Sequence, residues 1–420
     1  ENIDRVPDLD PELKKRYIGE AKVLRAYSYY ELYTKFGDIP YTTKVLSIKE
    51  SMSIARTAKA TVIVNILADL DEVINGNYLP TSYDADNKGR ITRWAAMAIK
   101  AKIYLFEGNW TQVKNITSTI MTEGGFKLFG SYAGLFEIAN EYNSEVILDA
   151  QYRPTSREHQ MMYVFLPPTL GGYSQLSPLQ ELVDSYIMLD GKTIKETGTS
   201  FDESHPYANR DPRLKATVMY TGNSYTLADG TEVVINCEKG EGKDGYGVGS
   251  DCSATGYYIK KYWDNTYRAT LYSGLNPILI RYADILLMNA EALAELGELD
   301  KTAWDATIKP IRDRAGFTLA SALEFPEGAS KDKLIEIVRN ERRSELALEG
   351  HRHKDIIRWR IADNVLNGWC HGLKTNDVVG TDDGYVRVEN RTFNANKHYL
   401  WPIPQAERDL NGNLEQNPNW

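Results

Sequence analysis

The sequence predicts a mostly α-helical fold of tetratricopeptide-like helical hairpins, interrupted by a long irregular insertion with short strands. The first observation behind this is a recurring unit. "YYELYTKFGD" carries Tyr30, Tyr33 and Gly37, "AKIYLFEGNW" carries Ala101, Tyr104 and Gly108, and "AEALAELGEL" carries Ala290, Leu293 and Gly297. In each, a small or aromatic residue is followed one turn later by a large apolar one, and one turn after that by glycine. This is a helix with one apolar face, ending where a left-handed residue is needed. Such units stack, because no single hairpin can bury its apolar face alone. The second observation is helical patterning, densest at 11–36, 58–76, 91–122, 178–189, 278–315 and 330–367. The third is a change of composition over 150–277, where "PPTLGGYSQLSP" and "EVVINCEKGEGKDGYGVGSDCSATGYYIKKYW" replace helical periodicity with turn dipeptides and short strand-like runs.

In chain order, the hairpin scaffold is expected mainly at 11–125 and 278–367. The loop-rich part is expected at 126–277 together with an irregular C-terminal tail at 368–420, and residues 1–420 are expected to form a single domain. Long loops in a compact domain usually serve binding, so the loop-rich part is the expected ligand region. A hydrophobic content of 42% is enough for a sizeable core. A net charge of −9 argues against nucleic acid as a partner, since phosphate binding needs a basic surface. No run reaches the apolar length of a membrane-spanning helix. The chain opens "ENIDRVPDLDPELKKRY" with no initiator Met, signal peptide or lipidation cysteine, so targeting information is expected to have been removed or never included. Cys237, Cys252 and Cys370 show neither CxxC nor metal spacing. Cys237 and Cys252 share one Gly-rich loop, where a disulfide and free thiols are both open.

The segment "NERRSELALEGHRHKDIIRW" puts charge where a core stripe should run. With Leu334 as zero, Val338, Glu341, Glu345 and Leu348 fall within about 40° of one line along a helix. A glycosidase needs two carboxylates flanking a bond, whereas Glu341 and Glu345 project from a single wall. The surrounding arginines lower carboxylate pKa values, the reverse of what a general acid requires. These residues therefore read as a structural ion network of Glu341, Arg342, Glu345, Glu349 and Arg352. "GEGKDG" places Gly240, Gly242 and Gly245 as GxGxxG, but no helix can follow to receive a phosphate. His351 and His353 lack the i,i+4 spacing of a helical metal pair, and no metal site is expected there. "GTDDGY", with Asp382 and Asp383, lacks the alternating spacing of a dedicated calcium loop and leaves calcium open. There is no GxSxG elbow, and no catalytic residue or cofactor is expected. What the chain does have is 27 Tyr and 8 Trp. Tyr163, Tyr173, Trp263 and Tyr267 stand in Gly/Pro-rich or strand-end contexts. There a ring can stack on the C–H face of a sugar while polar neighbours bind its hydroxyls.

Eight stretches, in order, resemble the SusD/RagB family of outer-membrane glycan-binding lipoproteins. They are "EAKVLRAYSYYELYTKFGDIP", "RWAAMAIKAKIYLFEGNW", "LVDSYIMLDGKTI", "RDPRL", "GYYIKKYWD", "IRYADILLMNAEALAELG", "NERRSELALEGHRHKDIIRW" and "YLWPIPQAERDLNGNLEQNPNW". The resemblance implies a SusD-like fold with four tetratricopeptide-like hairpins. It also implies a non-catalytic cell-surface protein that binds oligo- or polysaccharide and delivers it to a SusC-like TonB-dependent outer-membrane transporter. The implied anchor is an N-terminal lipid in the outer membrane, carried on a segment missing from this chain. The hairpins, including the charged segment, would be scaffold that also faces the transporter. The family's ligand residues lie in variable loops, so none is carried over by number. The alternative reading is a peptide-capturing or protein-interaction helical-repeat scaffold with no sugar site.

Overall fold

The computed structural model describes residues 1–267 and 270–420, apart from the Tyr267 side chain. The chain divides into two compact units. The first comprises Glu1–Gly124, His353–Leu366 and Thr392–Trp420, and the second comprises Gly125–Arg352 and Asn367–Arg391.

The first unit is built on four long helices: α1 (Pro11–Phe36), α2 (Lys59–Asn75), α3 (Arg93–Phe106) and α4 (Trp110–Glu123). Sequence sets each end. Asp10 accepts a hydrogen bond from the Leu13 amide at 2.8 Å and Pro11 opens the first turn, both of which satisfy or remove orphan donors. Gly37 stops α1 at φ +70, where its missing side chain also leaves room for Leu400. Consecutive helices pack as antiparallel neighbours through Val23, Ala26, Tyr30 and Tyr33 of α1, Val62, Ile66 and Leu70 of α2, and Ile99 and Ile103 of α3, all buried. Arg25 of α1 grips Asp69 of α2 through two hydrogen bonds, 2.8 and 2.7 Å.

The second unit carries α5 (Tyr282–Leu296), α6 (Lys301–Ala315) and α7 (Lys331–Glu345), with α6 and α7 both packed on α5. The helix α5 is buried almost all round, as the run "ADILLMNAEALA" dictates. It ends on Gly297 at φ +73, as the repeat pattern predicts.

Three segments differ from expectation. Residues 278–281 are a strand, Ile278–Arg281, pairing antiparallel with Val146–Asp149. Their β-branched run finds a partner that lies far away in sequence. The helix expected over 178–189 shrinks to Gln180–Ser185, and the tail is not wholly irregular. Strands Gly368–Lys374, Thr381–Asp382 and Tyr385–Arg391 form an antiparallel sheet in the order first, third, second. The expected loop-rich part has its own core, in which Met162, Phe165, Tyr186, Leu214, Tyr225, Tyr258 and Leu373 meet.

Candidate functional site

Two arrangements in the second unit draw on the residues singled out by sequence. The first is the charged stripe. Leu334, Val338, Glu341 and Glu345 share the buried face of α7, but the helix stops at Glu345. Leu348, at φ +64, is 39% exposed and leaves the stripe. Glu345 accepts from Arg213 (2.8 Å) and Arg281 (2.6 Å) and also meets Arg314. Glu341 pairs with Arg312 at 2.7 Å, and lies 2.7 Å from Arg213 in an ion pair made off the hydrogen-bonding axis. Asp211, Glu145, Glu349 and Lys261 complete the set. Arg213 donates to Asp211 (2.7 Å), Arg281 to Glu145 (2.7 Å) and Glu349 (2.8 Å), and Lys261 to Glu349 (2.6 Å). Carboxylates Asp211, Glu145, Glu341, Glu345 and Glu349 thus face cations Arg213, Arg281, Arg312, Arg314 and Lys261. No side chain among them is more than 7% exposed.

Burial alone would raise these carboxyls. Arg314, Arg281 and Arg213 outweigh it at Glu345, holding that group well below the usual carboxylate range. Arg281 and Lys261 likewise bring Glu349 down to about 2. An ionised pair sealed from water cannot protonate a leaving group, so these carboxylates serve architecture. The other two residues expected in the network have further neighbours. Arg342 pairs with Asp284 of α5 at 2.6 Å. Arg352 stands near Arg343, whose guanidinium is pushed down to about 10 by burial and by that neighbouring charge. The partners that sequence reasoning missed, Arg213 and Arg281, lie in "RDPRL" and "IRYADILL". A charge set against an apolar run was the available signal there.

The second arrangement is an aromatic face. The short helix Met161–Phe165 buries Met162 and Phe165 in the core, which turns Tyr163 outward, 37% exposed. The following loop doubles back on this helix. Tyr173 donates its amide to the Tyr163 carbonyl (2.9 Å), Leu176 donates to Val164 (2.8 Å), and the Ser174 hydroxyl donates to the Leu166 carbonyl (3.0 Å). Gly172 makes the turn possible, since a Cβ there would lie 2.1 Å from the Leu166 oxygen. Tyr173 is thereby laid beside Tyr163, ring centroids 4.4 Å apart and planes inclined by 30°. Hydrogen bonding to Tyr173, then desolvation, then the nearby Asp251 carboxylate and Tyr272 raise the Tyr163 phenol pKa. Tyr272 is 41% exposed and Leu176 57%. The neighbouring Ser273 bridges to His159, two residues before the Tyr163 helix. Sequence reasoning missed Tyr272; its place beside Gly274, which abuts the Pro154 backbone, was the signal.

The structure brings Tyr163 and Tyr173 together but places Trp263 elsewhere. That indole packs on Tyr225, 5.2 Å between centroids, and its N–H is taken by the Thr226 carbonyl at 2.8 Å. The Tyr267 side chain lies outside the described residues. Cys237, Cys252 and Cys370 are free thiols. Asp382 is engaged by Arg387 and His371. Among the described residues no group of three His, Cys, Asp or Glu side chains is arranged to hold a metal ion, and no helix is long and apolar enough to cross a membrane.

Stacked helical hairpins, together with a loop-built part that has exposed rings, define a class of helical-repeat proteins with a long irregular insertion. Within it, the chain belongs to the SusD family, whose model matches residues 135–420, while residues 1–105 match a model described as "Starch-binding associating with outer membrane". Members of this family bind carbohydrate and associate with the outer membrane. The SusD-like protein P25 of Formosa agariphila is 27% identical over 390 residues, 87% of this chain and 68% of that protein. A crystal structure of a SusD-like carbohydrate binding protein from Bacteroides fragilis superposes with a TM-score of 0.86 at 29% identity, covering 98% of this chain and 82% of that one. A laminarin binding SusD-like protein shares the fold, with a TM-score of 0.67 at 24% identity over 100% of this chain and 82% of its own.

Proposed function

We propose that this chain is a non-catalytic surface protein that captures an oligo- or polysaccharide on the face formed by Tyr163 and Tyr173 and delivers it to a SusC-like TonB-dependent transporter, tethered to the outer membrane by an N-terminal lipid. The observation that carries the ligand half is the exposed tyrosine pair, ring centroids 4.4 Å apart and fixed by a glycine turn, with the Asp251 charge and Tyr272 near enough to influence the Tyr163 phenol. A ring face takes the apolar C–H side of a pyranose, while phenol hydroxyls donate to and accept from its hydroxyls and a carboxylate accepts from them. Binding is expected to be weak per sugar and to accumulate along an oligosaccharide, because an open face leaves much of each ring hydrated. Family membership supports the transporter half.

Affinity electrophoresis and isothermal titration against a panel of polysaccharides test the ligand half. One glycan should bind, and the Tyr163→Ala/Tyr173→Ala double variant should lose it at least tenfold while Trp263→Ala retains it. If the double variant binds as well as the parent chain, the ligand lies elsewhere. Co-purification with a SusC-like transporter co-expressed with this chain tests the delivery half. A protein that binds short peptides but no glycan would favour peptide capture instead.

A further inference from the structure

The first unit holds a 490 Å³ cavity between the start of α1, the 77–81 turn and the start of α3, with Arg16 and Arg93 in its wall. Both guanidiniums are unusual for this chain. The Nε of each is buried with no hydrogen-bond partner. Arg16 rests over the Tyr17 and Tyr83 rings, 5.6 and 5.7 Å away, and among the described residues neither side chain pairs with a carboxylate. Elsewhere in this unit Arg25 is held by Asp69 and Arg90 by Glu20. Arg93 is also the first residue of α3, where the helix dipole already presents positive charge and disfavours a cation. Two acids share the cavity wall. Asp10 is engaged in capping Leu13, and Glu12 pairs with neither arginine. Two guanidiniums with no carboxylate partner in one cavity wall, one of them at the positive end of a helix, present unmatched positive charge that an anion would complete.

We propose that this cavity binds the carboxylate or sulfate ester of an acidic sugar, with Arg16 and Arg93 holding the oxyanion. The planar guanidinium fork matches both oxyanions, and Tyr78, Leu79 and Pro80 offer an apolar wall for the ring. The oxyanion half goes beyond the tyrosine face and stands without it. The saccharide half rests on the glycan-binding reading.

The test is titration of the whole chain with glucuronate, glucose 6-sulfate and neutral glucose, followed by saturation-transfer NMR and calorimetry at low and high salt. The expected result is binding of one or both charged sugars, weakened by salt, with glucose at least tenfold weaker. Binding of glucuronate alone assigns a uronate, of the sulfate alone a sulfate ester, and of both the shared oxyanion. Arg16→Gln and Arg93→Gln should each weaken it at least tenfold. Glu12→Gln, which removes a nearby negative charge and disturbs no contact seen here, should strengthen it. Tyr163→Ala should leave it unchanged, so loss of the tyrosine site and loss of this one are read separately. Equal binding of glucose, no binding of either charged sugar, or indifference to both arginine substitutions in variants that melt like the parent would overturn the assignment.

Discussion

The ion network around Glu345 and the tyrosine face around Tyr163 lie in the same unit, the first joining residues far apart in sequence and the second built mainly by one short helix and the loop that follows it. They differ in what is left unfinished. In the network, carboxylates and cations are matched and water is excluded, so no group is free to meet a ligand. On the face, rings as large as those of the core are held outward by a glycine turn, and their surfaces remain open. Charge density alone would have pointed to the wrong place, since the richest cluster of acids and bases is the part with no access. Four measurements separate bracing from binding.

The largest effect is expected inside the network. Arg281→Leu strips partners from Glu145, Glu345 and Glu349 and leaves carboxylates stranded in the interior. Breaking a buried pair from one side costs about 3–5 kcal/mol, so the urea midpoint should fall sharply or the unit should fail to fold. The Tyr163→Ala/Tyr173→Ala variant should unfold at nearly the parent midpoint. If both variants melted alike, the division into brace and ligand face would be lost.

Acid is the second probe. Glu345, Glu341 and Glu349 have folded pKa values below their unfolded ones, Glu349 at about 2. They therefore contribute stability that is fully present above the unfolded carboxylate value of about 4.3 and is lost as pH falls toward the folded values. Unfolding free energy measured from pH 6 down to pH 3 should decline by a few kcal/mol, on the order of what one shift of this size implies. In Glu349→Gln the decline should be shallower. A flat profile would mean that the network carboxylates gain nothing from their cations.

The third probe sits between the two regions. In Gly172→Ala the new methyl meets the Leu166 carbonyl, so the loop must move. Overpacking of this kind costs about 1–3 kcal/mol. Because Tyr173 is carried by that loop, glycan binding should fall with it although no ligand-facing side chain has changed. Retained binding would show that the ring pair does not depend on the turn.

Much of this architecture was legible before any coordinates. The α1 and α5 boundaries followed from Gly37 and Gly297, because only a left-handed residue ends such a helix cheaply. The buried face of α7 followed from helical spacing as far as Glu345, beyond which Leu348 leaves it. What local patterns could not reveal was partnership. Glu345 is held by Arg213 and Arg281, which lie on other elements far from α7 in sequence, whereas the neighbouring Arg342 turns to α5. The sheet over 368–391 was missed for the same reason, since "GWCHGLK" becomes a strand only once "YVRVENR" lies beside it. Exposure was legible only in part. Tyr163 and Tyr173 stand open, whereas Trp263, chosen on the same grounds, uses its N–H on a carbonyl and its ring on Tyr225.

The smallest effect distinguishes ring from hydroxyl at the tyrosine face. Tyr163→Phe keeps the stacking surface and removes only the phenol hydroxyl. Glycan affinity should fall about two- to fivefold, the worth of one modest hydrogen bond, and Tyr163→Ala should fall much further because the face itself is gone. The phenol pKa lies above its ordinary value, first through the Tyr173 hydrogen bond, so the group stays protonated at neutral pH and binding should be level between pH 6 and 9. Calorimetry of both variants across that range decides the matter. Equal losses for Phe and Ala would mean that the hydroxyl, not the ring, holds the sugar, and the face would have to be redrawn around Asp251 and the phenol tips.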